Sequence, residues 1–173
     1  MGATKNSDIM TALALQLAEE AVPDEVDLAP IMVQAFVEGG KEREELFKRE
    51  QGSVVGGFGP GGLIALFPWI LKALAQNGSF ICELLTTDVS DLVSLLNSTL
   101  DLKDKVRASQ KMKSLPDNPY QPLKVVMQTV SAELQVSGLP EVQCDLITYR
   151  VIRALLENPE DSAVFIKTLA GSK

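Results

Sequence analysis

The sequence contains no histidine. Histidine is the usual general base near neutral pH and the commonest metal ligand. Its absence excludes Ser-His-Asp and Cys-His nucleophile systems and the ordinary catalytic zinc sites. Any catalysis would have to run on carboxylates, lysine or bound magnesium. The expectation is therefore a protein that is not an enzyme, with no catalytic, cofactor-binding or metal site. Cysteine is scarce as well. Cys82 and Cys144 are too few for a disulfide framework or, by themselves, for a zinc site. They read as buried, reduced thiols of a cytoplasmic protein, in keeping with a start that lacks a basic stretch followed by an apolar run. Aromatic residues make up 5% of the chain, so its core has to be built from Leu, Val, Ile and Ala.

Alternating apolar–polar runs are also missing. Only Ser53-Val54-Val55 reads as extended chain. What the sequence holds instead are apolar stripes at helical spacing, separated by strong breakers. Met10, Leu13, Leu17 and Ala21 share one face of a helix over 8–21, with Ser7 placed to cap it and Val22-Pro23 to end it. Pro30 suits the first turn of a second helix, whose apolar side is Ile31, Met32, Ala35 and Phe36. Gly39-Gly40 interrupts that helix. Residues 41–51 resume it, with Glu44–Lys48 and Glu45–Arg49 at the favourable i, i+4 spacing and Leu46 and Phe47 turned to the core.

Further helices are expected over 63–76, ended by a left-handed Asn77-Gly78 stop, and over 80–86. Asp88 is placed to cap a helix striped by Val89, Leu92, Leu96 and Leu100, and a basic helical segment runs on to Met112. After the proline-rich break 114–122 come the stripes Leu123, Val126, Val130, Leu134 and Val142, Leu146, Tyr149, Ile152, Leu156. Asn158-Pro159 opens a last helix that carries Phe165 and Leu169. The fold class is all-α, a helical bundle of seven to eight helices around a central apolar helix. At 173 residues the chain reads as one domain, 1–173, with a C-terminal helical subregion 123–173 after the break. That length buries roughly 70% of the surface the unfolded chain exposes.

The stretch from Ser53 to Ala75 invites three functional readings. Gly57-Phe58-Gly59-Pro60-Gly61-Gly62 matches the glycine spacing of a dinucleotide loop, with Glu83 at the distance of a ribose ligand. That fingerprint needs a preceding strand and a parallel sheet, which the chain does not offer, and Pro60 removes one of the N–H groups a phosphate cradle uses. No lysine follows Gly62, so it is no P-loop either. As a membrane span the dense apolar part, Leu63 to Leu71, is too short, since about 20 residues are needed. The third reading is a helix wrapped by others, entered through a glycine-rich turn. A small domain rarely surrounds a helix fully, so part of this one should be shielded by a partner. Phe58, Phe67 and Trp69 are the anchor types expected there.

The net charge of −7 argues against nucleic acid and anionic lipid as partners. The charge is uneven. Residues 1–50 hold eleven acids against five bases, whereas Lys103, Lys105, Arg107, Lys111 and Lys113 crowd one short segment. That segment has no interleaved aromatics for stacking on bases. It reads as a solvated helix face, with a docking face that complements the acidic first fifty residues of another copy as the sharper alternative. The acidic run 18–27 has neither the alternation nor the glycine of a calcium loop. The expected function is a non-catalytic module for protein–protein interaction or self-assembly, with a protein partner or a homo-oligomer. The alternatives are a membrane-active effector that releases 53–75 and a pocket for an apolar small ligand.

Overall fold

Helix α1 runs over Gly2–Ala21 and buries Met10, Leu13, Ala14, Leu17, Ala18 and Ala21, the stripe its spacing dictates. The computed structural model describes residues 2–47, 65–86 and 117–172. Ser7 lies inside α1 and does not cap it, because the helix begins at Gly2. Val22 leaves helical geometry at φ −141°, and Pro23 opens a single 3-10 helix, Pro23–Leu28. Helix α2, Ala29–Glu38, carries Pro30 in its first turn as expected. Its buried side is Ala29, Met32, Val33 and Phe36. Ile31 is 66% exposed, a correction to the expected stripe.

Gly39 and Gly40 both have positive φ, 75° and 59°. Gly39 combines this with ψ −161°, a backbone state essentially confined to glycine. The pair reverses the chain into the short helix α3, Gly40–Glu45, and so returns Arg43 and Phe47 toward α2.

Helix α4 is Phe67–Gln76. Pro68 marks its start and causes no kink, since a first-turn residue has no intrahelical use for its N–H. Helix α5, Gly78–Thr86, follows at once. Gly78 is helical and has no positive φ, so Asn77-Gly78 is not the left-handed stop the dipeptide suggests. Instead Gly78 is where α5 meets the last helix. A Cβ there would lie 2.8 Å from the Ala170 Cβ.

Helix α6 occupies Asp117–Val136, so the proline-rich segment enters a helix at Asp117 and does not run as a loop to Pro122. Pro119 falls in the first turn, where a missing N–H costs little. Val126, Met127, Val130 and Leu134 form its buried stripe. Helix α7, Glu141–Glu157, buries a wider face than its expected stripe, adding Cys144, Ile147, Val151 and Leu155 to Tyr149, Ile152 and Leu156. Val142, expected inside, is 56% exposed in the first turn. Helix α8, Pro159–Gly171, starts as read: the Asn158 side chain accepts from the Asp161 N–H, Pro159 is first, and Phe165, Ile166 and Leu169 are buried.

The chain is an all-α bundle of eight α-helices among the described residues. Helix α4 sits against α2, α5, α6 and α8, while α8 also touches α1, α5 and α7. Phe67, Pro68, Ile70, Leu71, Ala73 and Leu74 of α4 are buried, which gives the bundle its central apolar helix. Burying a Leu, Ile or Phe side chain contributes about 1.5–3 kcal/mol, so Phe67, Ile70, Leu71 and Leu74 make this short helix a substantial part of the core. Two buried polar pairs hold the helices in register. Ser131 donates to Asp145 at 2.9 Å between α6 and α7, and Ser162 donates to the Leu155 carbonyl at 2.7 Å between α8 and α7.

Candidate functional site

Helix α4 is not wrapped on every side. Trp69, Lys72 and Gln76 recur at i, i+3 and i+7 and so share one face. That face meets the returning α3 segment. Together Gly40, Arg43, Glu44, Phe47, Trp69, Lys72 and Gln76 line an open cleft of about 420 Å³. Its wall is an aromatic relay. The Phe36 and Phe47 rings stand edge to face at 6.5 Å, and Phe47 and Trp69 do so at 5.1 Å. Such pairs contribute about 0.5–1.5 kcal/mol beyond their buried area. They dock α3, a helix too short to be stable alone, onto α2 and α4.

Both cations of the cleft lie over this wall. The Arg43 guanidinium is 3.8 Å from the Phe36 ring centre, and Arg43 Nη1 donates to the Ser172 carbonyl at 3.2 Å. The Lys72 ammonium is 5.2 Å from the Trp69 ring and 5.9 Å from Phe47. It also stands 3.5 Å from Glu133 Oε2 on α6. That oxygen is buried and makes no aligned hydrogen bond, so the pair is held by charge attraction alone. The Trp69 indole N–H is buried too and has no acceptor among the described residues. An unmet buried donor costs about 1–3 kcal/mol, which makes Trp69 the least satisfied aromatic residue of the wall.

The start of α4 is fixed by a carboxylate from elsewhere in the chain. Glu25, on the 3-10 helix, accepts from the Leu66 N–H at 2.7 Å and the Phe67 N–H at 2.8 Å. These are first-turn donors of α4, which have no partner within the helix. With Pro68 next in line, two of the orphaned amides are met by one side chain, and its charge faces the positive end of the helix dipole. Burial nevertheless pushes the Glu25 carboxyl above the usual carboxylate range. The two amide bonds act against that rise, and the neighbouring Asp24 adds to it.

Of the residues singled out in the sequence, Trp69 lies at the cleft, partly exposed with the Lys72 ammonium over its ring. Phe67 does not. Its ring is fully buried in the core, so it serves the fold and offers no surface to a partner. Phe58, Lys103, Lys105, Arg107, Lys111 and Lys113 lie outside the described residues, as do Leu63, the glycine loop 56–62, the partners Lys48 and Arg49, and the helix expected from Asp88. Cys144 is buried as read, whereas Cys82 is only half-buried; both are free thiols. Arg43, Phe47 and Lys72 were not expected as site residues. The double-glycine reversal and the cation–aromatic composition were the available signals.

No helix among the described residues is long and apolar enough to cross a membrane. Compared with known protein families, with curated proteins and with solved structures, the chain matches none.

Proposed function

We propose that the chain is a non-catalytic helical module that works in the cytoplasm by binding protein surfaces, and that the cleft between α3 and α4 is its docking site. The observation that carries this is the position of Trp69. The chain's single tryptophan sits half-buried on the open face of α4, under the Lys72 ammonium, in an open cleft that Arg43 also lines. Tryptophan and arginine are the residue types most often found at the energetic centre of protein contacts. The wall is already rigid, because each ring is set by a neighbouring ring or cation, and a preorganised surface loses less side-chain freedom on binding.

Trp69 is also the reporter. A displayed library of random peptides is selected on the full-length chain, and enriched peptides are titrated against tryptophan fluorescence. Peptides that dock at the cleft shift the emission and bind Lys72→Glu at least tenfold more weakly. Failure to enrich any peptide whose binding perturbs Trp69, in a chain that also shows no self-association, sinks the reading.

A further inference from the structure

Asn77-Gly78 forms the joint between α4 and α5. An asparagine followed by glycine is the dipeptide most prone to lose its side-chain amide, because no Cβ shields the glycine nitrogen from the asparagine Cγ. The fold requires glycine at 78. A Cβ there would meet the Ala170 Cβ at 2.8 Å and Ile166 Cγ2 at 3.6 Å. The packing of α5 on α8 thus imposes the one neighbour that makes Asn77 reactive. The other asparagines are less suited to this chemistry. Asn118 and Asn158 precede prolines, which have no N–H to attack with, and Asn6 and Asn97 precede serines.

The native geometry holds the reaction shut. Asn77 is 6% exposed. Its Nδ2, the atom that has to leave, donates to the Ala73 carbonyl at 2.8 Å. Its own carbonyl accepts from the Ile81 N–H at 3.0 Å, which fixes the Asn77–Gly78 peptide at a ψ of 20°. In an L-residue that angle turns the Gly78 nitrogen away from Cβ. The peptide is planar and rotates as a unit, so bringing the nitrogen onto Cγ takes more than a right angle of rotation and carries Gly78 out of its seat against Ala170.

We propose that Asn77-Gly78 is a deamidation site latched by the contact of α5 with α8, and that its reaction makes opening of that contact irreversible. When α5 lifts from α8, the Gly78 nitrogen gives up its proton and attacks Asn77 Cγ. The new C–N bond closes a succinimide ring. The Cγ–Nδ2 bond breaks, and ammonia leaves with that proton. Water then opens the ring at either carbonyl, which yields aspartate or, with the main chain rerouted through the side-chain carbon, isoaspartate. Both products carry a carboxylate at a buried position, where an unpaired charge is costly. Aspartate also takes the donor away from the Ala73 carbonyl. Isoaspartate lengthens the main chain by one carbon between α4 and α5 and displaces the acceptor of the Ile81 N–H.

The test holds the full-length chain in mildly alkaline buffer, folded and in urea, and follows deamidation at each asparagine by peptide mapping and mass spectrometry. Asn77 should react roughly tenfold or more slowly in the folded chain, because only copies with this joint open react. Ile166→Ala loosens α8 against Gly78 and leaves the dipeptide untouched. It should raise the folded rate at Asn77 roughly tenfold, with no change at Asn6 on α1. Ile166→Val should act in the same direction to a smaller degree, which keeps the test open if the alanine variant does not fold. Deamidated chain, separated by its added charge, should unfold at lower urea than the parent, and Asn77→Asp should do likewise.

Equal rates at Asn77 in the folded and unfolded chain overturn the proposal, as does a folded rate that neither Ile166 variant changes. Deamidated chain with the stability of its parent overturns it too, since the opened joint would then close again.

Discussion

The Glu25 carboxylate holds the Phe67 amide at 2.8 Å across forty-two residues of chain, and with it the start of the central helix. Glu25→Ala should leave the Leu66 and Phe67 amides without an acceptor, at about 1–3 kcal/mol each. Glu25→Gln keeps an acceptor but cannot titrate. Because burial raises the Glu25 pKa, the folded state binds this proton more tightly than the unfolded state does. Its contribution to stability is therefore complete below the ordinary glutamate value, about 4.3, and is lost as pH rises through the elevated one. The urea midpoint of the wild type relative to Glu25→Gln should be highest at the acid end of that window and decline above it. A difference that does not change with pH would contradict this account.

Gly78→Ala should destabilise the bundle although alanine is the better helix former by about 1 kcal/mol. The new methyl would sit 2.8 Å from the Ala170 Cβ and 3.6 Å from Ile166 Cγ2, so α5 and α8 must part. Overpacking of this kind costs about 1–3 kcal/mol. Ala170→Gly in the same chain should recover part of the loss. Denaturant melts of the two single variants and the double variant measure the coupling, and strict additivity would show that the helices do not touch there.

Ser131→Ala should cost about 1–3 kcal/mol, because it takes a hydrogen-bond donor from the buried carboxylate of Asp145. Ser131→Ala with Asp145→Leu removes both polar partners, and it should be less damaging than the sum of the single changes. Thermal melts of the set decide it. A double variant as unstable as that sum would mean that the pair does not act as a unit.

The helices were legible where punctuation and periodicity agree. Asn158-Pro159 gives a cap and a first-turn proline in two residues, and α8 begins there. The Val126, Val130, Leu134 stripe points inward as its spacing requires. Ile31 and Val142 mislead because both lie in the first turn of a helix, where the neighbouring element and not the period decides burial. Gly78 misleads for another reason. A glycine after asparagine resembles a stop, but here its small size matters against Ala170, a residue ninety-two positions away.

The site was readable only in part. Trp69 stands out by residue type within an uncharged stretch. Glu25 and Arg43 do not, because each acts on a residue far along the chain, Phe67 in one case and Ser172 in the other, and no local pattern encodes such a pairing.

The chain leaves α3 at Phe47 and returns at Ala65 within one small neighbourhood, since Phe47 rests on Trp69 and Leu66 is held by Glu25. Both ends of the intervening stretch are thus tethered by contacts that do not depend on its length. Loss of either anchor should therefore be felt at both junctions, because Phe47 on one side and Leu66 on the other are held at the start of the same helix, α4.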